Sequence, residues 1–181
     1  IASTLSALAF QAMEEEKKQA KKYLDRPAPF TISGIKYKAA NKKNLMSLVF
    51  IKEATTKRAY MKYAIEGGIS RAKKTAMVHP ASSSKLNRYG NFPQNYVKTA
   101  LKNKDKFFSG VPKGMQGKEN SGIWQRYGTK NNRKIKMVAQ WRKTRSYQAK
   151  FPFYEITGDV VFNRANAIFN KQLAYAMATA R

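Results

Sequence analysis

An α+β fold is predicted for this chain, an antiparallel β-sheet flanked by helices, with long N-terminal and C-terminal helices. Three observations predict it. Apolar residues recur at three- and four-residue spacing at both ends of the 181 residues, the signature of an amphipathic helix. Between them the apolar residues of Lys134–Arg142 alternate, with Ile135, Met137, Ala139 and Trp141 on one side and Lys134, Lys136, Gln140 and Arg142 on the other. Short strand-like runs follow one another from Lys106 to Phe153, the second after a Gly-rich loop carrying Gly110, Gly114, Gly117 and Gly122, which is the pattern of an antiparallel sheet flanked by helices.

The elements follow in order. Residues 1–25 form the first helix, with Leu5, Leu8, Ala9, Ala12, Met13, Ala20 and Leu24 on its apolar stripe. Glu14, Glu15 and Glu16 precede Lys17, Lys18, Lys21 and Lys22, which permits supporting i,i+4 pairs. Arg26-Pro27 ends the helix, because a residue before Pro is pushed out of the helical region. Residues 30–44 are irregular or briefly helical. Leu45–Lys52 is a buried strand on its unbroken run Leu48–Ile51, and Ala54–Glu66 is a short helix stopped at Gly67-Gly68. Residues 78–92 read as a polar loop, and Pro93 opens a helix carrying Tyr96, Val97, Ala100 and Leu101. Strands are predicted at Lys106–Val111, Ile123–Gly128 and Lys134–Arg142. Tyr147, Ala149, Phe151 and Phe153 alternate again, with Pro152 marking an edge or a bend. Residues 155–180 close the chain as a helix. The expected division is a helical arm over 1–26 and one α+β domain over 27–181.

Charge separates the possible functions. Lys and Arg number 36 against 10 Asp and Glu, a net +26. Such a balance favours a polyanion or an acidic protein as partner. Aromatics at 12% and an apolar fraction of 43% are too high for a disordered basic tail. There is no Cys, so disulfides and thiolate metal sites are excluded, and no apolar run reaches the roughly 18 residues of a membrane span. No membrane partner is expected. No basic segment followed by an apolar block opens the chain, so no signal peptide is expected, and Ile1 in place of Met leaves room for residues upstream.

Catalytic chemistry finds no constellation. His79 is the one histidine, placed before Pro80 in a polar loop. The acidic cluster Glu14–Glu16 occupies three consecutive helix positions that diverge and cannot converge on one ion, so it reads as a solvated face. Gly117-Lys118 lacks the spacing and the following Ser or Thr of a phosphate loop. The expectation is a protein without enzymatic activity, cofactor or metal.

The basic residues are the candidate site. No acid lies between Glu119 and Glu155, and Lys130, Arg133, Lys134, Lys136, Arg142, Lys143 and Arg145 fall in that interval. They form a candidate contact surface for a polyanion or an acidic partner, with salt-sensitive binding because each neutralised phosphate releases counterions. Trp124, Tyr127 and Trp141 lie among them and read as buried strand aromatics rather than as base-stacking platforms.

The segments YLDRPAPFT (Tyr23–Thr31), EGGISR (Glu66–Arg71), YGN (Tyr89–Asn91), GIWQR (Gly122–Arg126) and YQAKFPF (Tyr147–Phe153) occur in that order before a long C-terminal helix. This ordered set resembles the phage minor tail protein Z-like family of tail-completion proteins. The resemblance implies a non-enzymatic structural virion protein of a tailed phage. It places the chain in the neck or tail of a virion assembled in the host cytoplasm, as a ring joining head connector and tail around the DNA path. The implied partners are copies of itself, in six- or twelvefold symmetry by analogy, together with head–tail connector or adaptor and tail proteins. Genomic DNA in the channel is a further partner, bound without sequence preference. The resemblance also implies an N-terminal helix that contacts neighbours, with Leu5, Leu8, Ala12 and Met13 as the assembly arm. The alternative from charge alone is a non-specific nucleic-acid-binding basic protein, a packaging or ribosome-like factor.

Overall fold

The computed structural model describes residues 1–52, 61–73, 76–129 and 131–179. Along the chain these form α1 (Ala2–Tyr23), α2 (Pro29–Ser33), β1 (Ile35–Lys38), β2 (Leu48–Ile51), α3 (Lys62–Glu66), β3 (Gly68–Arg71), β4 (Met77–Pro80) and α4 (Tyr96–Lys102). Then come β5 (Phe107–Gly110), a single 3-10 turn (Lys118–Asn120), β6 (Gly122–Thr129), β7 (Asn132–Arg142), β8 (Thr144–Tyr147) and α5 (Phe153–Thr179). The fold is α+β, with long terminal helices and antiparallel sheets. The chain divides into two compact units, Ile1–Gly68 with Gln148–Arg181, and Ile69–Tyr147.

Unit 1 is built on the two long helices. α1 starts without a side-chain cap, and its last turn carries Lys21 and Lys22, favourably placed at the negative end of the helix dipole. Leu24 is extended after it, and Arg26 takes a left-handed φ of 46° while its guanidinium bonds both oxygens of Asp25. α1 packs antiparallel to α5: Thr157 Oγ1 donates to Glu16 Oε1 at 2.8 Å, and Arg164 Nη1 to Gln11 Oε1 at 3.0 Å. The hairpin β1–β2, in register Ile35↔Ile51 to Lys38↔Leu48, packs beside α1. The core gathers Met13, Ala20, Ile35, Met61, Phe151 and Phe153.

The arm expected over 1–26 is therefore packed into unit 1. Leu8, Ala12 and Met13 are buried and Leu5 is half-buried, so their apolar surface is covered within this chain. Deleting α1 would strip Met13 and Ala20 from the core.

Unit 2 is a four-stranded antiparallel sheet in the order β4-β7-β6-β5, with β3 beside β8 as a second pair. Its core is Ala100 of α4 with Ile123, Val138 and Ala139, flanked by Val78, Phe92, Val97, Phe107 and Trp141. β6 and β7 pair from Gly122↔Gln140 to Thr129↔Asn132, with one shift where Ile123↔Ala139 is followed by Trp124↔Met137. Val138 is the extra residue of a β-bulge. Gly122 is required beside it, since a Cβ there would lie 2.1 Å from the Ala139 carbonyl oxygen.

Several sequence expectations move. β4 occupies the start of the expected loop 78–92, and α4 begins at Tyr96, with Pro93 in the turn before it. The alternating strand expected at Tyr147–Phe153 stops at Tyr147. Lys150 and Phe151 instead donate backbone N–H groups to Ala64 O at 2.8 and 2.9 Å, and Phe151 and Phe153 both enter the core. The helix expected over Ala54–Glu66 is seen as α3 at its end, its residues 54–60 lying outside the described ones.

Candidate polyanion-binding face

The bulge decides where the cations of unit 2 point. Directly paired residues of antiparallel strands share a face, and neighbours along a strand alternate. Ile123 and Ala139 therefore lie on the face covered by α4, and Trp124 and Met137 lie on the other. On β7 the extra residue at Val138 reverses the alternation. Lys134 and Lys136 share the face of Val138, Ala139 and Trp141, whereas Arg133, Ile135, Met137, Gln140 and Arg142 share the opposite one. This corrects the expected pattern, in which Lys134, Lys136 and Arg142 stand together opposite Ile135, Met137, Ala139 and Trp141. The physical reason is that one inserted residue flips every side chain beyond it.

The bulge is held from the adjacent edge. β4 ends at Pro80, which pairs with Ala139 and has no N–H to donate. The next residues take over: Ser84 Oγ donates to the Val138 carbonyl at 2.6 Å, and Ser83 Oγ donates to the Met137 carbonyl.

On the face opposite α4 the cations are arginines. Arg126 stacks over Phe108, its Cζ 4.6 Å from the ring centroid, and its Nη1 donates to the carbonyls of Lys104, Asp105 and Phe107 at 2.8–3.3 Å. Phe108 stacks in turn on Trp124, whose Nε1–H donates to Asn120 O at 3.1 Å. Arg142 Nε donates to Gln140 Oε1 at 2.8 Å, and Gln140 Nε2 donates to the Glu119 carbonyl at 2.7 Å. Arg145 of β8 lies over Tyr147 at 5.0 Å and places Nη1 2.8 Å from His79 Nδ1. A guanidinium only donates, so His79 Nδ1 is the acceptor and its proton sits on Nε2. That Nε2 is buried without a hydrogen-bond partner. Burial, then the charges of Arg145 and Arg142, lower the His79 pKa, so the ring is neutral and adds no charge of its own. His79 thus departs from the surface loop expected for it; its place on β4, paired with Gln140, makes it a strut for Arg145.

On the other face Lys136 lies over Tyr127, its Nζ 5.5 Å from the ring centroid, and Lys134 is exposed. Arg133 is exposed on β7, and Lys143 is exposed between β7 and β8. Lys130 lies outside the described residues. Trp124 is buried and Trp141 half-buried, with Trp141 Nε1 donating to Ser109 Oγ at 3.2 Å; Tyr127 is 44% exposed. At the Arg142 end of the sheet an open groove of about 810 Å³ is lined by Lys118, Ser121, Gln140, Trp141, Arg142 and Lys143 among others.

Electrostatics set this unit apart. Its only acids are Asp105 and Glu119, against nineteen Lys and Arg. Among the described residues every ion pair lies in unit 1: Glu14–Lys17, Glu15–Lys18, Asp25–Arg26 and Lys62–Glu66. The acidic cluster of α1 also differs from its expected solvated face. Glu14 and Glu15 pair at i,i+3 spacing, but Glu16 is fully buried, with Oε2 unpartnered, and desolvation raises its pKa to about 7. Three successive helix positions are about 100° apart, so one of the three turns inward.

Among the described residues no group of three His, Asp or Glu side chains is placed to hold a metal ion, and no helix is long and apolar enough to cross a membrane. Comparison with protein families, with curated proteins and with solved structures gives no match for this chain.

Proposed function

We propose that the chain is a non-enzymatic structural subunit of a tailed-phage virion, of the tail-completion kind at the neck, whose unit 2 is held against a polyanion. The observation that carries the polyanion contact is the absence of any ion pair in unit 2 among the described residues, although it bears nineteen basic side chains. Charges of one sign packed on one small body repel, and an external anion relieves that repulsion. Arg126, Arg142 and Arg145 are preset by carbonyl, amide, ring and imidazole contacts, which lowers the entropy lost when they meet phosphate. The neck position rests on the ordered segments from Tyr23–Thr31 to Tyr147–Phe153 and the long closing helix.

The test is a salt titration against duplex DNA together with the variant Lys134→Glu/Lys136→Glu/Arg142→Glu/Arg145→Glu. Binding by the wild type should weaken linearly on a log–log plot, with a slope of about −0.9 per phosphate neutralised. The variant should keep its circular dichroism, bind far more weakly with a shallower slope, and fail to support particle maturation. Normal infectivity of a phage carrying it would remove the proposal. Tight, steeply salt-dependent binding by a free monomer that is missing from virions favours the other reading, a non-specific nucleic-acid-binding protein.

A further inference from the structure

Helix α5 has two apolar stripes, and the fold of unit 1 uses one. Phe153, Val160 and Ile168 are buried against the rest of the unit. A second stripe runs through Gly158, Phe162, Ala165, Phe169, Leu173 and Ala176, at steps of four, three, four, four and three residues. At about 100° per residue these positions fall on one line, well over a quarter-turn round the helix from the first. Phe162 is 88% exposed, Phe169 44% and Leu173 46%. The stripe spans about 27 Å at 1.5 Å per residue. Its three large side chains, Phe162, Phe169 and Leu173, form an exposed apolar row in the middle of the stripe, and such a row marks an association surface.

Charge selects the occupant. Over Phe153–Thr179 the charged residues are Glu155, Asp159, Arg164 and Lys171, which cancel, so the whole +26 lies elsewhere in the chain. For a second copy of so basic a protein, α5 is the long surface that can be approached without like-charge repulsion. An acidic partner gains nothing from this neutral helix and has unit 2 to bind. The stripe is also self-complementary. In an antiparallel pair with its twofold axis between Ala165 and Asn166, Phe162 meets Phe169 of the second copy and Gly158 meets Leu173. The small side chain of Ala165 sits at the centre in both copies, aromatic pairs lie on both sides, and each end matches a large residue with a gap. An isologous twofold contact requires this kind of self-matching.

We infer that the stripe Gly158–Phe162–Ala165–Phe169–Leu173–Ala176 of α5 is a homodimer interface, in which two copies of this chain pair their C-terminal helices antiparallel. The inference needs no virion and stands apart from the function proposed above.

Sedimentation of the full chain over a concentration series tests it. The expected result is reversible formation of a species of twice the 20.6 kDa chain mass. Added salt should strengthen it, because the contact is apolar and salt screens the repulsion between the two bodies. Phe162→Glu with Phe169→Glu should leave the chain at single mass with unchanged far-ultraviolet circular dichroism. The absence of Cys supplies a second arm that does not depend on a charge inserted in the stripe. Ala165→Cys, beside the axis, should oxidise readily to a disulfide-linked dimer, whereas Asn163→Cys, away from the stripe, should not. A wild type that stays at single mass throughout overturns the inference, as does equal crosslinking at 163 and 165. So does uptake onto uncharged lipid vesicles without self-association, which would assign the stripe to lipid.

Discussion

The two units use their polar groups in opposite ways. Unit 1 keeps its charge local: Glu14, Glu15, Asp25 and Glu66 each meet a cation close in sequence, and its core mixes aromatic, aliphatic and thioether side chains contributed by both ends of the chain. Unit 2 has almost no acid to pair with, and its buried centre is small, an isoleucine and a valine between two alanines. Exposed ion pairs such as those of unit 1 contribute little, about 0–1 kcal/mol each. Their absence from unit 2 is thus no great loss of stability, but it leaves a field directed outward. The arginines there are held by neutral acceptors, namely carbonyls, an amide oxygen and an imidazole nitrogen, so they are positioned with their charge intact. Unit 1 pairs acids with cations on its surface, and unit 2 presents its cations unpaired with acid among the described residues.

The strongest way to break this division is through the two cores. Phe151→Ala should cost about 3–5 kcal/mol and Ile123→Ala about 2–5 kcal/mol, since both side chains are almost fully buried. Residue-resolved hydrogen exchange should show protection falling mainly in unit 1 for the first and mainly in unit 2 for the second. Equal loss in both units from either substitution would dissolve the distinction.

Glu16 sharpens the contrast on the side of unit 1. Its folded-state pKa of about 7 lies above the ordinary value of 4.5, so the protonated carboxyl is the form the fold accepts. The stabilising contribution is complete below the unfolded value and is lost as pH rises through about 7. By linkage the change is of order 3 kcal/mol, a figure in which desolvation of the carboxyl is the largest part and the nearby Glu15 and Glu155 charges are minor ones. Glu16→Gln retains an oxygen to accept from Thr157, so chemical denaturation at pH 5 and pH 8 should show the wild type losing stability relative to the variant as pH rises, the contribution of the depressed His79 pKa being common to both. A difference between variant and wild type that is the same at both pH values would show that the carboxylate is solvated.

The smallest effect concerns the bulge. Ser84→Ala removes the donor to the Val138 carbonyl and should cost about 1 kcal/mol. The informative reading is local: exchange at the β4–β7 edge should rise while the ion-paired helix α1 is unmoved. If the loss of stability is absent, strand pairing and Ser83 hold the bulge without Ser84.

Much of the architecture is legible from residue order. The terminal helices, the strands around Phe107, Ile123 and Lys134, and the excess of cations after Glu119 follow from local periodicity and composition, which depend on the chain alone. The candidate site is legible as a set of residues but not as a surface. Arg126 falls in the same acid-free stretch but outside the candidate contact residues, because nothing local announces that its guanidinium will lie on Phe108 and three carbonyls. His79 reads as loop because a strand ending in Pro has little period to detect.

What the sequence determined by itself is therefore the element types, the positive charge and its concentration in one stretch, because each is a sum over neighbours. Tertiary structure alone decided which way those side chains face. The extra residue at Val138 sends Lys134 and Lys136 to one side and Arg133 and Arg142 to the other, and packing against α5 buries Glu16 while Glu14 stays in water. Facing is a choice between two nearly equal local conformations, and it is settled by the partner strand or helix that arrives from a distant part of the chain.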